Sequence, residues 1–495
     1  MAKRKRKKSR APSRRKKQES GSPRRATALP VVSCEYLEEP SLLFGVGREH
    51  VFTRTGMALF GPRTLDQAGR HPSEIRVGLV GSGQSIDAAK SWIESCLDGV
   101  RDGTPWDEFP GFREDRGFFS RLVFDDKWVN TITQHELAEV EKPRLLRERF
   151  EIALQLVTDK LRLLSERDQP PAYIVLALPD ALLKHCQVVD YRDSELGQVH
   201  RDFRRALKAE AMKSRLPTQI LLQRTTQARP DDDRVDPKWK CAWNLFTSLY
   251  FKAGGIPWSP TELSAGSCYV GISFFRPLGS AKSVLRSSVA QAFDEHGDGL
   301  VLRGQDFPWD ETKEGPSPHL DAARAKHLLD RVLRRYEEEM GQKPKRVVIH
   351  KTSRFWPEER DGFQAALQEV ATFDLLSVCP TSELRLLRAG QYPPLRGTHF
   401  QVGDTHFLYT TGFIPALNAY PHGHVPSPLQ VADHVGDSPI RTLLQEALVL
   451  TKMNWNSASF AGHMPITLRF SRLVGDIMRE VPADREPLPG FKYYM

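Results

Sequence analysis

The sequence has no apolar run long enough to cross a lipid bilayer, and its first 30 residues lack the apolar centre of a signal peptide. Its six cysteines are scattered, and no two have the Cys-x-x-Cys spacing of a structural zinc site. These absences argue against a membrane span, a secretory leader and a disulfide or zinc framework. They predict a cytoplasmic protein whose 495 residues suffice for two or three domains.

Acidic residues are nearly absent from residues 1–25, which contain 13 Lys/Arg and one Glu and so carry a charge of +12. The whole chain carries +9, so the rest of it sums to about −3. Such a segment cannot bury a core, and we expect residues 1–30 to form a disordered basic tail. Two interpretations of this tail stay open: a solubilising extension, or a segment attracted to phosphates without sequence preference.

Apolar strands alternate with amphipathic helices from about Ser41 to the middle of the chain. This order predicts an α/β fold with a parallel sheet and Rossmann-like connections. The expected elements are a strand at 75–82, a helix at 85–100, a strand running into a helix at 172–186, a helix at 203–214, a strand at 218–226 and a helix at 238–255.

A second unit begins near Gly266, where antiparallel strands precede a helix–strand–helix–strand run and two terminal helices. This is the element order of a ribonuclease-H-like fold. The expected elements are a strand at 267–275, two strands within 284–304 around a turn at 297–299, a helix at 319–341, a strand at 345–352, a helix at 358–370, a strand at 373–379, a hairpin at 398–412, and helices at 439–455 and 467–481.

The stretch GLVGSGQS at 78–85 requires a test as a dinucleotide-binding fingerprint. Its glycines do not have the Gly-x-Gly-x-x-Gly spacing, and no suitable acid follows downstream. A tight strand-to-helix turn explains these glycines better, although a nucleotide-binding enzyme centred on this turn stays an alternative.

The stretch YFKAGGIPW at 250–258 places Lys252 at the end of a helix, just before two glycines. A cation there complements the helix dipole, which is a sufficient reason when the residue is considered alone. Arg204 and Lys208, however, lie one helical turn apart, and Gln219 opens the following strand. Three cations and one amide that converge from two helices and a strand end would suit a terminal phosphate.

Arg204-x3-Lys208, Gln219 and Lys252-Ala-Gly-Gly-Ile-Pro-Trp, in this order, resemble the Argonaute family. The Mid domain of that family holds the 5′ phosphate of a guide strand with a Tyr/His/Arg-x3-Lys pair, a Gln, and a Lys before Gly-Gly. Relatives mostly have an aromatic residue or His where this chain has Arg204, although a guanidinium plane also stacks on a base. Further similar stretches are EEPSLLFG, GMALFGP, GDGLVLRG, VVIHKTSRF, PITLRF and FKYYM.

This resemblance covers nearly everything after the tail and matches short prokaryotic Argonautes, which consist of Mid and Piwi domains. It implies a Rossmann-like Mid domain at 31–265 and a ribonuclease-H-like Piwi domain at 266–495. It also implies a divalent cation, Mg²⁺, at the 5′ phosphate of the guide, near a terminal carboxylate on Met495.

Argonautes that cut nucleic acids do so by two-metal hydrolysis, which requires several carboxylates. The resemblance places the first acid at Ser273, in Gly-Ile-Ser, and the second at Thr352, in Lys351-Thr352-Ser353. A further ligand position falls near Asn454 and Asn456. Hydroxyl and amide groups do not neutralise two divalent cations, and Lys351 is expected to repel them. The resemblance therefore implies a Piwi domain without catalysis.

Other residues could in principle hold a metal ion. Turn and loop chemistry is the simpler interpretation of these acids and histidines. They are Asp294, Asp298, Asp306, His422 and His424.

The resemblance implies a guide-loaded recognition subunit of a prokaryotic immune system, with a guide RNA and a complementary target DNA. Relatives act with a separately encoded partner that has an APAZ domain fused to a TIR, sirtuin-like or nuclease effector. NAD⁺ depletion is the first expected output, and DNA degradation is the alternative. An active guided nuclease that uses substitute acids is the competing hypothesis, and metal-dependent cleavage of a matched target distinguishes it.

Overall fold

A computed structural model describes residues 31–102, 108–184, 186–194, 197–229, 232–278, 284–292, 299–421, 425–482 and 485–495. Some sequence predictions fall outside these ranges. They are the basic tail at 1–30, most of the turn at 297–299, the acids Asp294 and Asp298, and the histidines His422 and His424.

The helices of the described residues are α1 (Thr53–Phe60), α2 (Gly83–Glu94), α3 (Gln134–Glu141), α4 (Leu146–Ser165), α5 (Asp180–Leu183), α6 (Phe203–Ala211), α7 (Gln223–Thr226), α8 (Lys238–Lys252), α9 (Glu311–Glu314), α10 (Ala322–Met340), α11 (Pro357–Ala366), α12 (Ile440–Leu450) and α13 (Ile466–Met478).

The strands of the described residues are β1 (Val32–Tyr36), β2 (Leu42–Leu43), β3 (Glu49–His50), β4 (Glu74–Gly81), β5 (Val100–Arg101), β6 (Glu108–Phe109), β7 (Phe112–Arg113), β8 (Arg116–Gly117), β9 (Arg121–Thr131), β10 (Tyr173–Ala177), β11 (Val188–Asp193), β12 (Gly197–Asp202), β13 (Thr218–Ile220), β14 (Ser259–Pro260), β15 (Ser267–Phe275), β16 (Val284–Ala292), β17 (Val301–Pro308), β18 (Arg346–Lys351), β19 (Thr372–Pro380), β20 (Thr398–Val402), β21 (Thr405–Leu408) and β22 (Leu429–Gly436).

A four-stranded parallel sheet in the order β13-β10-β4-β9 forms the centre of the N-terminal half. Its central strands β4 and β10 are mostly apolar and buried because helices cover both faces. Core residues of α2 and α8 cover one face, and those of α4 and α6 cover the other. The α/β fold with a Rossmann-like first unit is thus confirmed, and α6 and α8 lie on opposite faces of its sheet.

A nine-stranded mixed sheet in the order β1-β20-β21-β22-β19-β18-β15-β16-β17 forms the C-terminal half. The central strands β15, β18 and β19 are parallel, and β16 and β17 continue the sheet antiparallel from β15. Helices α10 and α11 pack on one face, and α12 and α13 pack on the other. This arrangement confirms the ribonuclease-H-like second unit.

The first strand of the chain belongs to the second sheet. Strand β1 pairs antiparallel with β20, from Val32 opposite Val402 to Tyr36 opposite Thr398. Just after β1, Glu39 forms ion pairs with Arg396 at 2.8 Å and Lys452 at 2.9 Å, and all three side chains are buried. The domain boundary at residue 265 stays a prediction. Residues 32–39, however, pack in the C-terminal half, with the nine-stranded sheet.

One strand was predicted too long. The stretch 218–226 forms a strand only as far as Ile220 and then the short helix α7. The side chain of Gln223 in this helix accepts a hydrogen bond from the backbone N–H of Asp180 at 3.0 Å. Among the described residues, none of the helices combines the length and the apolar character needed to cross a membrane.

Candidate nucleic-acid interface

Helix α8 ends directly after Lys252 because the residues that follow cannot continue it. Gly254 has a φ of +102°, which favours glycine. A Cβ on Gly255 would lie 2.2 Å from the ring of Tyr250, so this position has no room for a side chain. The Tyr250 hydroxyl is in turn held by hydrogen bonds of 2.9 Å to Thr64 and His71. The two glycines therefore fix where the helix stops, and Lys252 is its last residue.

The ammonium groups of Lys208 and Lys252 converge on one backbone oxygen. Both donate to the carbonyl of Thr218, at 2.5 Å from Lys208 and 3.1 Å from Lys252. Lys252 also donates to Oε1 of Gln219 at 2.7 Å. The side chains of Lys208 and Lys252 come from opposite faces of the parallel sheet and meet at the start of β13. The structure thus brings together three of the four residues that the sequence singled out.

Neither of these lysines is neutralised by an acid. Lys208 is 3% exposed and Lys252 is 1% exposed, yet no carboxylate of the described residues forms an ion pair with either. Burial, followed by the charge of Arg204, lowers the pKa of Lys208 to about 7. Burial and the charges of Lys208 and Arg204 hold the pKa of Lys252 well below its usual range. Two buried ammonium groups without a counter-ion are costly, and an anionic ligand would remove that cost.

Lys452 shows what a buried structural lysine looks like in the same protein. It is 2% exposed, and its ammonium group contacts Glu39 at 2.9 Å and the carbonyl oxygens of Pro40 and Val51. Burial lowers the pKa of Lys452 to about 8, and the charge of Glu39 opposes this shift. The chain therefore supplies an acid where a buried lysine has a structural role, and this makes the Lys208–Lys252 pair a candidate binding site.

Arg204 completes the positive cluster from the surface. It is exposed, lies one turn before Lys208 on α6, and contributes positive charge to both lysines. Two nearby arginines have structural partners instead. Arg201 pairs with Glu480 at 2.9 Å, and Arg205 pairs with Asp476 at 3.2 Å. The first ion pair joins the end of β12 to the turn after α13, and the second joins α6 to α13. No acid of the described residues forms an ion pair with Arg204, which leaves it available to a ligand.

Ser273 and Thr352 occupy the carboxyl ends of adjacent parallel strands. Gly271 of β15 pairs with His350 of β18. Ser273 lies two residues after Gly271, and Thr352 lies two residues after His350. Ser273 is half-buried and Thr352 is exposed. The topology therefore places side by side the two positions where the resemblance expects acids.

The expectation for Lys351 is wrong. Its ammonium group does not extend freely toward Thr352 but lies 2.6 Å from Glu359, and both side chains are 1% exposed. The rings of Phe274 and Phe355 pack around the same ammonium group. Lys351 thus forms a neutralised structural ion pair with α11, because a buried ammonium group requires a partner.

The segment of Asn454 and Asn456 lies against α8. Between them, Trp455 packs on Phe251 with ring centroids 4.5 Å apart. Helix α13, by contrast, contacts the strands that end at Ser273 and Thr352, since Thr467 lies 2.8 Å from Nδ1 of the buried His350. The two asparagines are therefore placed beside the helix that carries Lys252.

The remaining candidates have structural explanations where they are described. Asp306 accepts a two-pronged contact from Arg286. In the stretch 78–85, a Cβ on Gly81 would lie 2.1 Å from the carbonyl oxygen of Ala177, which explains a glycine at that turn. Within the described ranges, no group of three His, Cys, Asp or Glu side chains is arranged to hold a metal ion.

The sequence did not identify Thr218 as the residue on which the site is built. Its contribution is a backbone carbonyl, which leaves no signal in residue type. The ion pairs of Arg201 and Arg205 with Glu480 and Asp476 were also missed, because pairing partners about 270 residues apart cannot be read from spacing. Met495 was expected near the site, and it is buried in the core cluster that contains Tyr250 and Phe251.

No protein-family model matches the sequence, and no curated protein matches it significantly. Solved structures do match the fold, and they define its class: it is the fold of the Mid and Piwi portions of Argonaute proteins. Clostridium butyricum Argonaute bound to a guide DNA and a 19-mer target DNA aligns with a TM-score of 0.62 at 15% identity, over 92% of this chain and 54% of that chain.

Two further solved structures match the same fold. Drosophila Piwi aligns with a TM-score of 0.59 at 13% identity, over 93% of this chain and 56% of that chain. Aquifex aeolicus Argonaute aligns with a TM-score of 0.54 at 14% identity, over 94% of this chain and 57% of that chain. The chain thus spans a little over half the length of these relatives, and the likeness is one of fold.

Proposed function

We propose that this protein is a guide-dependent nucleic-acid recognition subunit that binds the 5′-phosphorylated end of a guide strand through Arg204, Lys208, Gln219 and Lys252. The observation that carries this proposal is the buried Lys208–Lys252 pair, which has no acid to neutralise it. One protein of the same fold, Clostridium butyricum Argonaute, was solved with a guide and a target strand. Phosphate is the anion that a guide strand offers at its end.

The chemistry of the cluster suits a terminal phosphate better than an internal one. A phosphate monoester carries a charge of about −1.5 to −2 at neutral pH, whereas an internal phosphodiester carries one negative charge. Each lysine would contribute a charge-assisted hydrogen bond of about 1.5–3 kcal/mol. Gln219 donates through its amide nitrogen while its oxygen holds Lys252. Arg204, at the surface, would contact the phosphate or stack on the first base.

A Mg²⁺ ion at the guide end, with a carboxylate on Met495, is part of the proposal. The residues present fit such an ion only in part, because the described residues around the lysines are cations and an amide. Mg²⁺ prefers six oxygen ligands and keeps several waters. Phosphate oxygens and water would therefore supply most of its coordination, and its chemistry would be charge neutralisation.

In this proposal, the protein recognises its target strand without cutting it. Two-metal hydrolysis needs carboxylates that bring two cations within about 3.5–4 Å of each other. Ser273 and Thr352 offer hydroxyl groups at the strand ends where such acids are expected. Base pairing with the guide would supply sequence specificity, while the protein contacts backbone and duplex shape.

The enzymatic response to target binding then comes from a partner protein. We propose a heterodimer with an APAZ-domain protein in a prokaryotic cytoplasm, in which a guide RNA paired to a target DNA activates a TIR or sirtuin-like NADase. A nuclease effector is the alternative. Such activation requires the paired duplex to bind the active state of the complex more tightly than the inactive state. Co-purification with the partner, followed by NAD⁺ and DNA assays on matched and mismatched targets, tests this part. A partner equally active without target would contradict it.

The guide site is tested by comparing two guides of the same sequence, one with a 5′ phosphate and one with a 5′ hydroxyl group. The wild-type protein is expected to prefer the phosphorylated guide, and Lys208→Ala with Lys252→Ala to lose that preference. Lys213→Ala is the matched control, because Lys213 lies just after α6, is exposed and pairs with Glu210. A double variant that keeps the full preference would refute the assignment.

A further inference from the structure

The ammonium groups of Lys208 and Lys252 are too close for both to be charged in the empty site at neutral pH. Both contact the single carbonyl oxygen of Thr218, so they cannot be farther apart than the sum of the two distances, 2.5 and 3.1 Å. Both are buried, and burial together with the neighbouring positive charges lowers the pKa of each. Two buried ammonium groups at this separation repel each other, so one lysine of the pair is an uncharged amine in the ligand-free protein.

The groups that face this pair do not relieve the repulsion. On α6, Arg204 adds a further positive charge, and on β13, Thr218 and Gln219 offer only neutral oxygens. From β10, the ring of Tyr173 lies 5.8 Å from the ammonium nitrogen of Lys252, and its hydroxyl group stays protonated because burial raises its pKa.

The acids on neighbouring elements are already engaged. On α13, Asp476 pairs with Arg205, and in the turn after α13, Glu480 pairs with Arg201. On α6 itself, Glu210 pairs with Arg485 and with Lys213. Within the described part of the chain, no carboxylate therefore forms an ion pair with Lys208 or Lys252 in the ligand-free protein.

We propose that a guide's terminal phosphate binds to this site together with one proton, which converts the uncharged amine of the Lys208–Lys252 pair to an ammonium group. This inference rests on the proposed function and specifies how the site is regulated. The proton comes from solvent and forms one new N–H bond on the lysine, and no other covalent bond is made or broken. The bound state holds two ammonium groups and a phosphate dianion, so each positive charge gains a negative partner.

Two consequences follow from the linked proton. Above the pKa of the free pair, affinity for the phosphorylated end falls about tenfold for each unit of pH, because one proton enters with the ligand. A guide with a 5′ hydroxyl group brings no dianion and takes up no proton at this site. Selectivity for the phosphorylated end is therefore greatest on the acidic side of neutrality and declines as the pH rises.

The direct test is isothermal titration calorimetry at pH 8 in two buffers with different ionisation enthalpies, which counts the protons taken up on binding. The probes are two guides of one sequence, with and without a 5′ phosphate, in EDTA so that divalent cations do not compete. At pH 8 the free phosphate is already a dianion. We expect the phosphorylated guide to take up at least one proton more than the hydroxyl guide, because Lys208, with a pKa lowered to about 7, is itself partly uncharged at pH 8.

Two variants test whether the proton is taken up at the Lys208–Lys252 pair or elsewhere on the protein. Lys252→Met removes one lysine of the pair and the repulsion between the two, so the excess uptake should fall clearly below the wild-type value, whereas Lys213→Met should leave it at that value. A wild-type protein that prefers the phosphorylated guide without excess uptake would overturn this inference while the proposed function stands. If there is no preference for the phosphate at any pH, the proposed function itself fails. The wild-type measurement decides the question even if a variant does not fold.

Discussion

Lys351 and Glu359 form an ion pair of 2.6 Å in which both side chains are 1% exposed. Glu359 also accepts hydrogen bonds from the backbone N–H groups of Leu320 and Trp356. The pair thus ties the end of β18 to the start of α11. It lies directly beside Thr352, one of the two positions where the resemblance to Argonautes leads us to expect an acid.

The two partners of this ion pair should differ in their effect on stability. Glu359→Leu leaves a buried ammonium group without a carboxylate and should cost about 3–5 kcal/mol of unfolding free energy. Lys351→Met should cost less, because Glu359 keeps its two backbone donors. The double variant should be more stable than Glu359→Leu alone. Urea unfolding measures all three, and a loss below about 1 kcal/mol for Glu359→Leu would contradict the structure.

The stability of the ligand-free protein should rise with pH because of Lys208 and Lys252. Their pKa values are lowered in the folded state, to about 7 for Lys208, so between pH 7 and 9 the unfolded chain binds more protons than the folded one. Stability increases with pH in this window, by up to about 1.4 kcal/mol per unit for each titrating lysine. The measurement is thermal or urea unfolding at several pH values.

The matched comparison for this pH dependence is the double variant Lys208→Met with Lys252→Met, which should show a flatter rise than wild type. Lys213→Met should follow the wild-type curve. An identical slope in the double variant would show that neither lysine has a lowered pKa.

We predict no guide-directed cleavage by this protein with Mg²⁺ or Mn²⁺. Ser273 and Thr352 lie at the ends of adjacent parallel strands and carry only hydroxyl groups, which do not neutralise two divalent cations. The assay uses a labelled target DNA with a matched guide. A single cut at a fixed distance from the guide's 5′ end would establish the competing hypothesis of an active nuclease.

Deleting residues 1–30 should flatten the salt dependence of nucleic-acid binding. Residues 1–25 contain 13 Lys/Arg and one Glu, and contacts between such residues and phosphates release counterions. The measurement is the slope of log affinity against log salt for the full chain and the deletion, with guides of unrelated sequence. An unchanged slope leaves the interpretation of the tail as a solubilising extension.

Much of the fold was predictable because its central elements have strong local patterns. The strand at Ser267–Phe275 was predicted with the observed bounds, and helix α8 was predicted with its end at the glycines. Strand β1 was not predicted, since all five of its residues are exposed and show no alternation. Its place depends on backbone pairing with β20, far away in the chain.

The candidate site was only partly readable from sequence. Helical spacing and family resemblance singled out Arg204, Lys208, Gln219 and Lys252, but the absence of neutralising acids became visible only in the packed structure. Lys351 was misjudged for the same reason. Its sequence position suggests an exposed strand end, whereas Glu359 and two aromatic rings enclose its ammonium group. Which cations find acids is decided by tertiary packing, and local sequence carries little of that information.

The pairing of β1 with β20 has a consequence for how the chain is made. Glu35 and His399 hydrogen-bond across these strands although 364 residues separate them in sequence. At a synthesis rate of about 5–20 residues per second, the ribosome needs roughly 20–70 seconds to deliver the second strand after the first. During that time, the strand Val32–Tyr36 cannot pair with β20. Glu39, which pairs with Arg396 and Lys452 in the folded protein, has neither partner yet on the nascent chain. The nine-stranded sheet is therefore completed late, after most of the protein has left the ribosome.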